Sequence, residues 1–381
     1  MDYNWDTEQL KLRDAAIRFA KKELQHDVVE MDKESAFPRE AWKKCADFGI
    51  QGMPFPEEYG GLGTDIMTTM LVMEGLGYAC KDGGLLFGLN AQMWSVQMPI
   101  FRFGSDEQKR KYLTPLCKGK WVGAHCMTEP DSGSDAFSLS TTAELKGDHY
   151  VLNGVKTFVT NGPVADCFMV YATVDKRKRF MGVTAFLLDK GTPGLQVSRK
   201  IEKMGLRTAP FSEVVLEDCM VPVQNRLGTP GHGAALFNDA MEWERSCMLA
   251  CHIGEMERQL ETCLQYSKVR KQFGKSIGQF QSVANKLVEM KIRVETARLL
   301  LYKVGWMKKT HGAAPMEAAM AKLYVSESWI KSCLDAVQIH GGYGYTMEYG
   351  LERDLRNSIG GTLYSGTSEI QKNIIAKYLG L

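Results

Sequence analysis

The feature that most constrains this chain is a change of period partway along it. Residues 1–117 and 231–381 carry apolar side chains at helical spacing, and residues 118–230 do not. In that middle stretch short runs rich in β-branched and aromatic residues recur at 121–127, 150–152, 157–159, 167–174, 183–188 and 214–216, separated by Gly, Pro, Asn and Asp. Many short strands with turn signals predict a small β-barrel or sandwich. They do not alternate with long helices, which argues against a doubly wound sheet. The expected fold is therefore α+β, with an N-terminal helical domain at 1–117, a middle β-barrel domain at 118–230 and a C-terminal four-helix bundle at 231–381.

The flanking zones carry helix punctuation. Asp6-Thr7-Glu8-Gln9 has capping-box spacing, followed by an apolar face of Leu10, Ile17, Phe19, Ala20 and Leu24. Gly49 reads as a C-terminal stop after 41–48. Ser105-Asp106-Glu107-Gln108 opens a second capped helix that ends near Gly119, and the Gly- and Pro-rich stretch 54–63 must turn sharply. Near the other end 290–306, 318–337 and 368–378 read as antiparallel bundle helices.

Charge and cysteine usage exclude several classes. Lys and Arg number 47 and Asp and Glu 45, a net charge of +2, too balanced for a nucleic-acid footprint. No apolar run reaches the ~18 residues of a membrane-spanning helix, and the acidic, polar start at Met1 to Asp6 does not read as a signal peptide. Ten scattered cysteines without a CxxC pair predict reduced thiols and a cytoplasmic protein. Cys247, Cys251 and His252 lie close together, but on an apolar helix such residues are more often packing, so no metal is expected.

Two segments stand out chemically. The run 126–135, Cys-Met-Thr-Glu-Pro-Asp-Ser-Gly-Ser-Asp, packs hydroxyls and turn residues into one loop. Such a loop either wraps hydrogen bonds around a polar ring and a phosphate or is a tight polar turn. The run 338–345, Gln-Ile-His-Gly-Gly-Tyr-Gly-Tyr, follows a helix; its glycines either admit a ligand close to the backbone or simply stop the helix. It lacks the spacing and the preceding strand of a dinucleotide fingerprint.

Together with 56–63, 270–275, Phe280-Gln281 and 366–371, these segments resemble the acyl-CoA dehydrogenase flavoprotein family over essentially the whole chain. Glu348, Arg353 and Asn357 fall at the intervals of its second signature. The resemblance implies FAD and a homotetramer. It places Met127 and Thr128 at the flavin pyrimidine, Gly133 and Ser134 near the ribityl and phosphate, Phe158 and Thr160 beside the flavin, and Thr367 and Glu369 at the adenosine half. Arg270, Phe273, Gln281, Gln338 and Gly342 would come from a neighbouring subunit.

The family oxidises the Cα–Cβ bond of an acyl thioester, with a carboxylate taking the α proton. Most members carry that carboxylate immediately before Gly-Thr-Ser-Glu-Ile-Gln, where this chain has Ser365. A branch of the family instead places Glu before an Arg in the first helix of the last domain, which here is Glu244-Arg245. The resemblance thus implies Glu244 as base, with the Ser365 backbone N–H left to contact the thioester oxygen. Glu242 stands about 200° around the same helix and would touch the substrate's arm. Arg245 helps hold the site or forms a structural ion pair, and Trp94 would shorten the acyl cavity or pack in the core.

The pattern further resembles the branch that oxidises prolyl thioesters on acyl (peptidyl) carrier proteins, as in anatoxin-type alkaloid biosynthesis. The implied partner is the loaded carrier, and the electron acceptor is dioxygen or an electron-transfer flavoprotein. A short branched-chain acyl-CoA dehydrogenase and a flavoprotein that has lost its base are the other readings.

Overall fold

The computed structural model describes residues 5–381; Met1 to Asn4, part of the polar start considered above, lie outside the described residues. Three N-terminal helices position the site: α1 (Thr7–Glu23), α2 (Ile66–Ala79) and α3 (Gly83–Gln92). Both capping boxes form. Asp6 accepts the Gln9 N–H at 2.8 Å and Gln9 returns to the Asp6 N–H at 3.0 Å; Ser105 and Gln108 exchange the same bonds at 3.2 and 3.1 Å. Gly49 caps its helix at φ +95°. The stretch 54–63 turns as expected, around one 3-10 turn at Glu57–Tyr59.

The middle zone is an eight-stranded sheet: β1 (Gly123–Cys126), β2 (Thr142–Lys146), β3 (His149–Thr160), β4 (Cys167–Thr173), β5 (Val183–Asp189), β6 (Leu195–Ile201), β7 (Phe211–Pro222) and β8 (Arg226–Leu227). The hydrogen-bonded order is β6-β7-β3-β2-β4-β5-β8, with β1 parallel on β4. One bridge, Thr142 to Thr173, joins its two halves, and they fold over an apolar cluster that includes Leu152, Phe168, Val170, Phe186, Leu188 and Val214. The runs 150–152 and 157–159 are one strand, not two. Asn153-Gly154, which reads as a turn, is a bulge against β7. A Cβ on Gly154 would stand 2.3 Å from Thr141, so only glycine lets the neighbouring chain pass. Strands β2 and β6 escape a search for apolar runs because most of their residues face solvent or are only half-buried.

The C-terminal zone contains α4 (Gly233–Cys247), α5 (Leu249–Val269), the hairpin β9 (Lys271–Gln272) and β10 (Lys275–Ser276), α6 (Gln281–His311), α7 (Pro315–His340), α8 (Leu351–Gly361) and α9 (Ser368–Tyr378). Helices α5, α6 and α7 pack on one another, and α7 carries α8 and α9. One core joins both helical zones: α2, buried from Met67 to Gly77, lies against α5. A Cβ on Gly77 would stand 2.0 Å from the Cys251 carbonyl oxygen, and one on Gly254 would stand 2.0 Å from that of Glu74. These glycines bring the two helix backbones into contact. All ten cysteines are buried and free, and no helix among the described residues is long and apolar enough to cross a membrane.

Candidate functional site

The site begins with the spacing on α4. Phe237, Met241 and the adjacent pair Glu244 and Arg245 follow one another at three- or four-residue intervals on one side of the helix, and all four line a cavity of about 820 Å³. The loop after β1 brings Met127, Thr128, Gly133 and Ser134 to the same cavity. Strand β3 adds Phe158 and Thr160, and the turn before α9 adds Ser365 and Thr367. Segments separated by more than two hundred residues thus meet around one space, and its volume lies in the range of small-molecule sites.

Glu244 is buried in this wall. Its carboxylate accepts the hydroxyls of Ser95 and Ser365, one on each oxygen. Burial pushes its carboxyl pKa up, while the Ser365 hydroxyl, Arg245 and Lys322 pull it back. Arg245 donates Nε to the Ser365 carbonyl at 2.9 Å, and Gln371 donates to the same oxygen at 3.1 Å. These bonds hold Ser365 in a left-handed turn, φ +55°. Its N–H has no hydrogen-bond acceptor among the described residues.

Ser95 is a residue that sequence reasoning missed. It comes from a π-helical turn, Met93–Gln97, inserted after α3. Phe87, Ala91 and Ser95 follow one another at four-residue spacing and all line the cavity. Trp94, weighed above as either shortening the acyl cavity or packing in the core, does not line it and packs in the core. It is fully buried, lies parallel to Trp243 at 6.1 Å, and donates Nε1 to Asn90 at 2.8 Å. The π turn, with five residues spanned per hydrogen bond, presents the fourth residue after Ala91 to the cavity instead of the third.

Glu242 is not among the residues that line the cavity. It accepts Lys308 Nζ at 2.7 Å and the Ala314 N–H at 2.7 Å, and so ties α4 to α6 and to the segment before α7. The rotation of about 200° separating it from Glu244 turns it toward the bundle helices. Two further unforeseen groups back the cavity. Tyr364 lines it and packs on Phe87 at 4.8 Å. Its hydroxyl meets His252 Nε2 at 2.6 Å, and His252 Nδ1 meets Glu255 at 2.9 Å. His252, weighed above as a possible metal ligand, is thus committed to hydrogen bonds. Lys322 is fully buried without a hydrogen-bond partner among the described residues, and burial pushes its pKa down to about 7. Neither His252 nor Lys322 belongs to a recognisable motif; only their distant partners give them meaning.

The remaining predicted residues gather elsewhere. Arg270 and Gly342 line a second cavity of about 490 Å³ with Tyr266, His340, Gly341 and Tyr343. Phe273, at the tip of the β9–β10 hairpin, is 93% exposed, and Gln281 and Gln338 are exposed as well. Glu369 lies exposed in the first turn of α9, off the cavity wall. Within one chain these residues do not reach the first cavity.

The first cavity fits a flavin. The N–H groups of Met127, Thr128, Gly133 and Ser134 donate to no protein acceptor among the described residues. A Cβ on Gly133 would meet nothing within 4 Å. This donor set, open to the cavity, suits the oxygens of a flavin pyrimidine ring and a phosphate. In the second cavity Arg270 has no carboxylate partner among the described residues, and Gly341 and Gly342 leave open space for an anion beside it.

Comparison with known proteins agrees with this arrangement. Residues 6–120, 124–219 and 231–380 match the models of the N-terminal, middle and C-terminal domains of acyl-CoA dehydrogenases. An L-prolyl-[peptidyl-carrier protein] dehydrogenase of Serratia sp. is 43% identical over 381 residues, covering 100% of this chain and 99% of that protein. The crystal structure of the prolyl acyl carrier protein oxidase AnaB superposes with a TM-score of 0.98 at 52% identity, covering 99% of this chain and 100% of that one. The structure of PigA with FAD and proline gives 0.97 at 43% identity, with full coverage of both chains.

Proposed function

Since the chain belongs to the acyl-CoA dehydrogenase family, we propose that it is an FAD-dependent enzyme that oxidises an L-prolyl thioester on a carrier protein to a pyrroline-carboxyl thioester. The observation that carries the chemistry is Glu244, a buried carboxylate set into the cavity wall between two serine hydroxyls. The prolyl substrate rests on the names of the full-length relatives.

Met127, Thr128, Gly133, Ser134, Phe158, Thr160 and Thr367 hold the flavin. Arg270, Phe273, Gln281, Gln338 and Gly342 reach the FAD of a neighbouring subunit in a homotetramer. FAD, when bound, supplies the hydride acceptor. Everything else falls to the chain. Glu244 takes the substrate α proton, and its raised pKa keeps it basic enough for a carbon acid. The hydroxyls of Ser95 and Ser365 fix both carboxylate oxygens. The Ser365 N–H donates to the thioester carbonyl, where negative charge grows as the proton leaves. Arg245 and Gln371 hold that N–H by gripping the Ser365 carbonyl on the same residue. Phe87, Ala91 and Tyr364 bound a compact acyl space suited to a five-membered ring.

The test is an anaerobic flavin-bleaching screen with prolyl-carrier protein, prolyl-CoA, isovaleryl-CoA and butyryl-CoA. Fast bleaching by the prolyl carrier alone is the expected result. Bleaching by isovaleryl-CoA in preference to either prolyl thioester would replace this function with branched-chain acyl-CoA oxidation. No bleaching by any of them would favour a flavoprotein without a working base.

A further inference from the structure

Between β4 and β5 the chain carries four basic residues in a row, Lys176-Arg177-Lys178-Arg179, followed by Phe180 and Met181. The six side chains are exposed, and the two apolar ones are 54% and 59% exposed. Arg177 pairs with Asp175 at 3.1 Å. Lys176, Lys178 and Arg179 have no carboxylate partner among the described residues. Arg179 has φ +50° although it is not glycine. Four consecutive basic residues beside two exposed apolar side chains combine a charged rim with an apolar contact, the composition of a protein-docking patch.

The position of this segment gives it a purpose. It packs on the start of α4: a Cβ on Gly231 would stand 2.4 Å from the Met181 carbonyl oxygen, and one on Gly233 would stand 2.8 Å from Val183 and Thr184 backbone atoms. Asn238, one and a half turns further along α4, is exposed and lines the cavity, so the cavity reaches the surface beside α4, as it also does at Met204 and Leu363. From Gly233 to Glu244 the helix advances about 16 Å. That is on the scale of an extended pantetheine arm. A partner seated on 176–181 would therefore stand one arm's length from the base.

We propose that Lys176 to Met181 form the docking surface for an acidic carrier protein, whose pantetheine arm runs along α4 to Glu244. This rests on the carrier reading of the substrate. The basic residues steer the encounter, and Phe180 and Met181 supply the apolar contact once it has formed.

The experiment compares wild type with Lys176→Glu/Lys178→Glu and with Phe180→Ser. Three readouts are followed at low and high salt: anaerobic flavin reduction by prolyl-carrier protein, reduction by the prolyl thioester of free pantetheine, and binding of labelled, unacylated holo-carrier by fluorescence anisotropy. The double variant is expected to lose tenfold or more in kcat/KM for the carrier at low salt. It should also lose most of the salt dependence and bind holo-carrier correspondingly more weakly, with unchanged reduction by the free thioester. Phe180→Ser should weaken binding without altering the salt dependence. Carrier binding within twofold of wild type in both variants would overturn the proposal. So would a loss confined to prolyl-CoA, which would assign the basic run to nucleotide phosphates, or a change of oligomeric state in Phe180→Ser, which would assign the apolar pair to self-association. The binding readout decides docking even if the acyl group is not prolyl. Wild type that oxidises the free thioester but binds no carrier would sink the docking proposal and the carrier reading while leaving thioester oxidation intact.

Discussion

Removing the Ser95 hydroxyl should move the pH dependence of flavin reduction upward. Glu244 begins with a pKa above the ordinary carboxylate value because it is buried, with the Ser365 hydroxyl pulling it back, and the Ser95 hydroxyl donates to its other oxygen. A hydrogen bond to a charged group contributes about 1.5–3 kcal/mol net. At 1.36 kcal/mol per unit, losing one raises the pKa by roughly one to two units. Ser95→Ala removes the bond without disturbing the π turn, whose hydrogen bonds are all backbone. Ser365→Gly is the matched variant at the second serine, since glycine accepts its positive φ. The assay is anaerobic stopped-flow reduction of bound flavin across pH. Below the wild-type midpoint each variant should reduce about 10- to 100-fold more slowly, because less of Glu244 is ionised. Well above it the rate should recover to the wild-type limit or exceed it. An unshifted midpoint with a uniformly lower rate would refute the reasoning, as would a shift downward.

Other outcomes follow from the same geometry. Glu242→Gln should leave flavin reduction near normal and lower the unfolding free energy by roughly 1–3 kcal/mol, since Lys308 would lose its buried partner; thermal melts and single-turnover rates together separate the two effects. Arg270→Ala should lower FAD occupancy of the purified protein, read from its visible spectrum, and a fully loaded monomeric variant would contradict the shared-site arrangement. Glu244→Gln should be more stable than wild type by a margin that grows with pH. The folded state holds the Glu244 proton more tightly than the unfolded chain, so wild-type stability falls as pH climbs from the ordinary carboxylate value through the raised one. Melts at mildly acid and mildly alkaline pH test the sign.

Periodicity made the helix–sheet–helix order legible, and the capping boxes at Asp6 and Ser105 located two helix starts to the residue. Exposed strands such as β6 were not legible, because a strand that buries little carries no apolar alternation. The candidate site was legible where local motifs carry it, as in 127–134 and 365–367. It was illegible where a side chain's direction depends on backbone detail. One π-helical turn decides that Ser95 and not Trp94 faces the cavity. A rotation of two residues sends Glu242 to Lys308, which the spacing had indicated for its direction but not for its partner. The Tyr364–His252–Glu255 chain joins residues more than a hundred positions apart, and nothing in either segment announces the other.

Glu244 is the group proposed to remove the substrate α proton. The direct measurement is anaerobic stopped-flow reduction of the flavin in Glu244→Gln by prolyl-carrier protein. The amide keeps the side chain's size and removes its basicity, and the other carboxylates among the described residues that line the cavity, Asp135 and Glu202, lie outside α4. FAD should remain bound, and the reduction rate should fall about 10²- to 10⁴-fold, the usual contribution of a positioned general base. A variant that holds its FAD and is reduced at close to the wild-type rate would contradict the assignment.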